Sequence, residues 1–380
     1  MAPTHAPDTR WSEATCRLED LLEVLADRTD PRRFPLATEV AAEVLVYDAA
    51  RMLNAPPEEA RAELVRAFAD GPGIVVVRGA YPDPAVVDRA TAAFEEMIAA
   101  QRASGAVAGD HFAKPGANDR VWNALEKLAV HAPEVFVEYY ANPVVALVST
   151  AWLGPGYQVT SQVNVVNPGG AAQVGHRDYR LGFLPPARIE QFPPHVHVLS
   201  PVLTLQGAVA HTDMPVESGP TMYLPHSQKY GAGYLATGRP EFREHFERHH
   251  VQLPLRTGDA AFFNPAVIHG AGTNRSADVR RMANLLQISS AFGRAMESVD
   301  RERVCRAVYP ALRAHPAPEH AVAAAAEGYP FPTNLDRDPP VDGLAPPSQA
   351  DLVRRALAED WTPEAFETAL TEHTDRRRTA

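Results

Sequence analysis

The chain has 380 residues, with 36 Lys and Arg against 47 Asp and Glu, a formal charge of −11. Hydrophobic residues at 45% and charged residues at 22% describe a globular protein and exclude a disordered or fibrous one; the acidic balance argues against nucleic acid or a membrane surface as partner, because no basic surplus exists to neutralise phosphates. Two cysteines, Cys16 and Cys305, exclude a Cys-rich zinc module and a disulfide scaffold, and 35 prolines against 23 glycines favour a loop-rich body over a long helical bundle.

The stretch up to Cys16 is polar and lacks the apolar core of a signal peptide. No run reaches the roughly 18 consecutive apolar residues of a membrane span, so a cytoplasmic protein is expected. Helical periodicity first occurs at 17–29 and 36–53, where Leu18, Leu21, Leu22 and Leu25 share a face. A stronger helix begins at Pro56–Pro57, carries Leu64, Val65 and Phe68 on one side, and stops at Asp70–Gly71. The β-branched run Ile74 to Val77, bounded by Gly73 and Gly79, predicts a buried strand. Asp83–Pro84 then opens a helix with Val87, Ala90, Phe94 and Ile98 on its apolar stripe, and a loop over 104–120 leads to helical spacing over 121–152.

From about 157 the period changes to two. Val159, Ser161, Val163 and Val165 alternate with Thr160, Gln162 and Asn164. Further strands are predicted over 196–210, 221–224, 250–255, 260–269 and 280–290, separated by turns rich in Pro and Gly. Short strands without intervening helices imply an antiparallel sandwich or barrel. After Phe292 the chain returns to a helical, Pro-rich pattern.

The chemistry concentrates at Gly175-His176-Arg177-Asp178. In an extended segment residues i and i+2 point the same way, so His176 and Asp178 can present an imidazole and a carboxylate to one point. Alone the pair is weak. A second histidine, His269, closes the apolar run Ala260 to Ile268 and sits in a matching setting. Two histidines and one carboxylate on one face of a metal leave positions open for an oxo-acid co-substrate and dioxygen, the arrangement that non-haem iron(II) oxygenases need. Such a co-substrate, 2-oxoglutarate, requires a cation for its far carboxylate. Arg280, eleven residues beyond His269, returns after the turn Gly270–Asp278 and suits that role. Arg281 points to the opposite face and Arg275 lies in the turn; the apolar pattern of Met282 to Ile288 does not decide which arginine faces inward.

These residues resemble the phytanoyl-CoA dioxygenase-like family of iron(II)- and 2-oxoglutarate-dependent oxygenases. The family's H-x-D, distal His and Arg eleven residues later match His176, Asp178, His269 and Arg280. Its H-G-S-G-x-N-x-[ST] segment matches His269 to Ser276, except that Ala271 stands in place of the serine. The Glu217–Ser227 segment and the early Phe68–Gly79 strand are also similar. The resemblance implies a mainly β fold with flanking helices, a double-stranded β-helix (jelly roll) over 56–295, a helical extension over 1–55 and a Pro-rich helical extension over 296–380. It implies Fe(II) on His176, Asp178 and His269, 2-oxoglutarate on Arg280, with Gln162 and Asn164 as amides toward the cofactor, and O2 as co-substrate. The expected reaction is hydroxylation of an unactivated C–H bond of a small, anionic or natural-product molecule, with succinate and CO2 released. The presence of Asp178 disfavours halogenation, which needs that ligand position empty, and leaves desaturation, epimerisation and ring formation open.

Tyr179, Arg180, Phe183 and His111 are substrate-contact candidates, against a plain reading as loop packing. His211 and Asp213 form a second H-x-D, which the strand order puts on the strand backing the site, in a structural or substrate-contact role. His226, His195, His197, His249 and His250 read as structural or surface histidines. Two other classes stay open: a non-catalytic jelly-roll binding protein, and a cupin-type hydrolase or isomerase that would need neither oxygen nor Arg280. The sequence does not indicate an oligomeric state.

Overall fold

The computed structural model describes residues 10–104, 118–340 and 342–379. In chain order these form α1 (Leu18–Leu25), β1 (Glu39–Ala41), β2 (Val44–Asp48), α2 (Ala49–Asn54), α3 (Pro57–Ala69), β3 (Ile74–Arg78) and α4 (Pro84–Ala103). After β4 (Asn118–Val121) come α5 (Ala124–His131), α6 (Pro133–Tyr140), α7 (Pro143–Leu153) and β5 (Gln158–Val166). The middle of the chain holds α8 (Pro186–Ile189), α9 (Pro194–Val202), β6 (Thr204–Ala210), β7 (Met222–Leu224), α10 (Gly233–Ala236), α11 (Pro240–His249), β8 (Ala260–Phe263), β9 (Ile268–Gly270) and β10 (Arg281–Ser289). Helices α12 (Arg301–Ala314), α13 (Glu319–Ala325), α14 (Gln349–Ala358) and α15 (Pro363–Arg377) follow.

The large sheet has the order β1-β2-β3-β8-β6-β10-β5-β4 and is antiparallel except for the β2–β3 pair. A smaller layer is built on the β7–β9 pair, widened by single bridges from His176 to His269 and from Tyr223 to Val251. Four segments of this layer, in the order 176, β9, β7, 251, face the large-sheet strands β8, β6, β10 and β5, so the chain passes alternately between two layers as a jelly roll does. The pleat divides each strand of the large sheet between two surroundings. On β5, Val159, Val163 and Val165 join the main hydrophobic core beneath the helices, while Gln162 and Asn164 turn toward the space between the layers. On β10, Met282, Leu286 and Ile288 take the core side, and Arg281, Ala283, Leu285 and Gln287 line the cavity.

Four segments differ from the sequence expectation; residues 250–255, expected as a strand, form only single bridges at Val251 and Leu255. Residues 36–53 form the β1–β2 hairpin before the short helix α2. Ala42 and Glu43 adopt positive φ of 49° and 69°, making a tight turn, and Val44-Leu45-Val46-Tyr47 is buried on both faces, so β-branched and aromatic packing prevails over helical spacing. Residues 196–210 split into α9 and β6: Pro194 sits at the first helical turn, where its fixed φ suits a helix start. Residues 260–269 likewise break. Asn264 Oδ1 accepts from Ala266 N at 2.9 Å, and this Asx turn with Pro265 carries the chain from β8 in the large sheet to β9 in the small one.

Candidate metal centre and its cavity

The corner at Asn264 decides where His269 lies. It places β9 beside the segment holding His176, where His176 N donates to His269 O at 2.9 Å and His269 N donates to His176 O at 3.0 Å. The two rings are thereby brought to 4.6 Å between centroids. His176 Nδ1 lies 2.8 Å from Val174 O, and His269 Nδ1 lies 2.9 Å from Val267 O. A carbonyl only accepts, so each Nδ1 carries the proton and each Nε2 is left with its lone pair. Asp178 points to the same place, with Oδ1 3.8 Å from His176 Nε2 and Oδ2 3.5 Å from His269 Nε2. One ligand atom from each residue falls within 4.8 Å of the others, and this is the one such group among the described residues.

The electrostatics favour a cation here. Burial pushes the Asp178 carboxyl up, but the flanking His269 and His176 and the amide of Gln206 outweigh it and hold the carboxyl below its ordinary value. Burial first, and the neighbouring His269 second, push His176 below its ordinary value, which keeps the imidazole neutral and able to ligate. Gln206 Nε2 donates to Asp178 Oδ2 at 2.7 Å, and Tyr234 OH donates to the Asp178 carbonyl at 3.0 Å. Between the ligands, Arg177 faces away into the protein. Its guanidinium donates to Ser227 O, lies 5.4 Å over the Tyr234 ring, and is pushed down to about 10 by burial. Two imidazoles with fixed tautomers and one supported carboxylate are a donor set that fits iron(II).

The centre opens on a cavity of about 970 Å³. Arg281 lines it and is only 6% exposed; its Nη1 donates to Ser218 O at 3.2 Å and to Gly272 O at 3.5 Å. It has no carboxylate partner among the described residues, and burial alone pushes it down to about 10. Arg280, expected in this place, is on the other face. Its Nη1 pairs with Glu95 at 3.0 Å and its Nε donates to Asn167 Oδ1 at 3.4 Å, at 43% side-chain exposure. Strand β10 begins at Arg281, whose partner on β5 is Val166; the pleat fixed by that register turns the second arginine inward.

Gln162, Asn164, Tyr179 and Phe183 line the cavity. Gln162 Oε1 accepts from Arg120 Nη1 at 2.8 Å, and its Nε2 donates to Gln287 Oε1 at 3.4 Å. Arg180 does not reach the cavity: its guanidinium clips the loop to Leu203 O, Thr204 Oγ1 and Arg294 O, at 2.9, 3.0 and 3.2 Å. The terminal nitrogens that its loop position suggested for substrate are spent on two backbone carbonyls and the Thr204 hydroxyl. His111 lies outside the described residues. His211 is buried behind the large sheet between Thr91 Oγ1 at 2.8 Å and Tyr139 OH at 2.9 Å, while Asp213 caps the turn at Thr257. The sequence reading missed Arg120, Gln206 and Gln287; only their alternation with apolar neighbours on β4, β6 and β10 marks them.

A jelly roll holding two histidines and an aspartate at the mouth between its layers defines an iron(II)- and 2-oxoglutarate-dependent oxygenase type of enzyme. The family profile described as phytanoyl-CoA dioxygenase (PhyH) matches residues 69–282, and the chain belongs to that family. Its metal is iron(II) and its co-substrate 2-oxoglutarate. No curated protein matches the chain. Among solved structures it is similar to the non-heme alpha ketoglutarate dependent carbocyclase SnoK from nogalamycin biosynthesis, at 23% identity and TM-score 0.43 over 63% of this chain and 86% of that one. It is also similar to the epimerase SnoN from nogalamycin biosynthesis, at 21% identity and TM-score 0.41 over 62% and 84%. AviO1 from Streptomyces viridochromogenes Tue57 is similar at 18% identity and TM-score 0.44 over 62% and 97%. No described helix is long and apolar enough to cross a membrane.

Proposed function

We propose that the protein hydroxylates an unactivated C–H bond of a small molecule, with 2-oxoglutarate and O2 consumed and succinate and CO2 released; one oxygen atom enters succinate and the other the product. The convergence of His176, Asp178 and His269 carries this reading. Iron(II) supplies the oxygen activation when bound, and the chain's own residues prepare its surroundings. His176, Asp178 and His269, all lining the cavity, would hold the metal. Arg281, buried and without a counter-charge, takes the far carboxylate of 2-oxoglutarate, replacing Arg280 in that role. Gln206 donates to one oxygen of Asp178 and so orients the carboxylate that would hold the metal. Asn164 and Gln162 face the same space as amide donors and acceptors.

Anaerobic addition of iron(II) and 2-oxoglutarate should develop the weak visible charge-transfer absorption of the chelate. Asp178→Ala should lose both that band and substrate-stimulated succinate formation. A wild-type protein that develops no band would remove the oxygenase reading and leave a binding protein or an oxygen-independent enzyme.

A further inference from the structure

The cavity has two ends, and the length of β10 separates them. Arg281 marks one end and Gln287 the other, six residues apart and so about 20 Å along a strand. With Arg281 engaged by the co-substrate, the Gln287 end is left for substrate. The lining of the cavity is distinctive in two respects.

The first is exposed apolar surface. Val174 is 54% exposed, Phe183 52% and Met296 38%, yet all three line the cavity. Trp122 and Leu285 continue the apolar lining inward. Apolar side chains gathered around one opening, rather than scattered over a surface, mark a place that a ligand covers. Phe183 packs edge-on against Tyr179 at 5.4 Å between centroids, so an aromatic edge is already presented there.

The second is that each charged group lining the cavity among the described residues is already committed. Among the described residues the charged groups lining the cavity are Arg120, Asp178 and Arg281. Asp178 belongs to the metal centre and Arg281 to the co-substrate. The Arg120 guanidinium is held in the wall, bonded to Gln162 and lying 4.7 Å over the Trp122 ring. A charged group brought in by the substrate would find no free counter-charge among the described residues and would lose hydration. Neutral polar groups are provided for. Gln287 lines the substrate end, and Asn164, only 9% exposed, has its Oδ1 without a hydrogen-bond partner.

We propose that the substrate is an uncharged, ring-bearing, mainly apolar molecule of drug-like size with carbonyl or hydroxyl substituents, its ring body against Phe183, Val174, Met296 and Trp122. This rests on the oxygenase reading for assigning Arg281 to 2-oxoglutarate and Asp178 to the metal. The size follows from the volume: about 970 Å³ is at the upper end of the roughly 300–1,000 Å³ that small-molecule sites span, and 2-oxoglutarate fills a minor part of it. Free amino acids, phosphorylated metabolites and coenzyme A thioesters are disfavoured by the same charge argument.

The test uses the full chain loaded anaerobically with iron(II) and 2-oxoglutarate, and the neutral naphthalene ketone prodan as fluorescent probe. Saturable, blue-shifted emission is expected, displaced by 1-tetralone at lower concentration than by leucine or coenzyme A. The double variant Phe183→Ser, Met296→Ser should bind the dye at least fivefold more weakly, whereas Leu199→Ser, on the exposed face of α9, should bind it as the wild type does. Equal dye affinity in the double variant, or displacement by leucine or coenzyme A ahead of 1-tetralone, would overturn the proposal. Absence of the iron–2-oxoglutarate band would instead count against the oxygenase reading, and the dye result would still decide the character of the cavity.

Discussion

Adjacent arginines with opposite fates show what single residues decide. Arg280 and Arg281 differ by one step of the pleat, and only the register of β10 against β5 chooses between them. Arg281→Ala should raise the 2-oxoglutarate requirement by roughly 10- to 100-fold, the scale of losing a hydrogen bond between charged groups. Arg280→Ala should leave it within about twofold, since its partner Glu95 is on an exposed surface where ion pairs contribute about 1 kcal/mol or less. Steady-state kinetics in 2-oxoglutarate distinguish the two, and the reverse pattern would return the clamp to Arg280. Gln206→Leu removes the donor at 2.7 Å from Asp178 and should weaken cobalt(II) or iron(II) binding by roughly 10- to 100-fold, read by metal titration. The metal-ligand candidates were legible because H-x-D and a strand-terminal His are local patterns. Which arginine faces inward was not, because it depends on pairing between strands far apart in sequence.

At the scale of elements, the segment 175–182 is pinned from behind. Arg177 fills the space where Gly233 has no side chain, and a Cβ on Gly233 would lie 1.9 Å from the guanidinium carbon. Gly182 is equally tight, its would-be Cβ falling 2.0 Å from the Arg177 carbonyl oxygen. Gly233→Ala must therefore displace a buried cation wedged between two ligand positions. A loss of about 1–3 kcal/mol in stability is expected, together with weaker metal binding, measurable by urea unfolding and metal titration. The strong periodic signals, such as α3, β3, α4 and β5, could be read from sequence because propensity and burial agree there. The hairpin at 39–48, the helix α9 and the break at Asn264 could not. In each, an apolar run fits either period, and the tertiary partner decides the outcome. The break matters most, because a continuous strand over 260–269 would have left His269 in the wrong layer.

The whole molecule shares one main core, in which Val163 and Leu205 of the sheet, Phe136 and Tyr139 of the helical cover, and Val304, Tyr309, Val353 and Phe366 of the C-terminal helices belong together. Within it His211 is buried and neutral, pushed down to about 3 by burial. Its folded value lies below the ordinary 6.5, so the unfolded chain takes up a proton that the folded chain refuses. The resulting stability is complete above about pH 6.5 and falls by roughly 1.4 kcal/mol per unit as pH drops toward about 3. His226, pushed down to about 4 by burial and Lys229, acts in the same direction. The urea midpoint should therefore decline between pH 7 and pH 5, and His211→Asn should flatten that decline. A slope unchanged in the variant would place the acid sensitivity elsewhere. Because β-layers and terminal helices rest on common side chains, heat should not peel them apart: calorimetry should record a single endotherm. Saturation with cobalt(II) at the mouth should then delay melting as sensed by Trp361, which packs among the last helices and touches nothing of the centre.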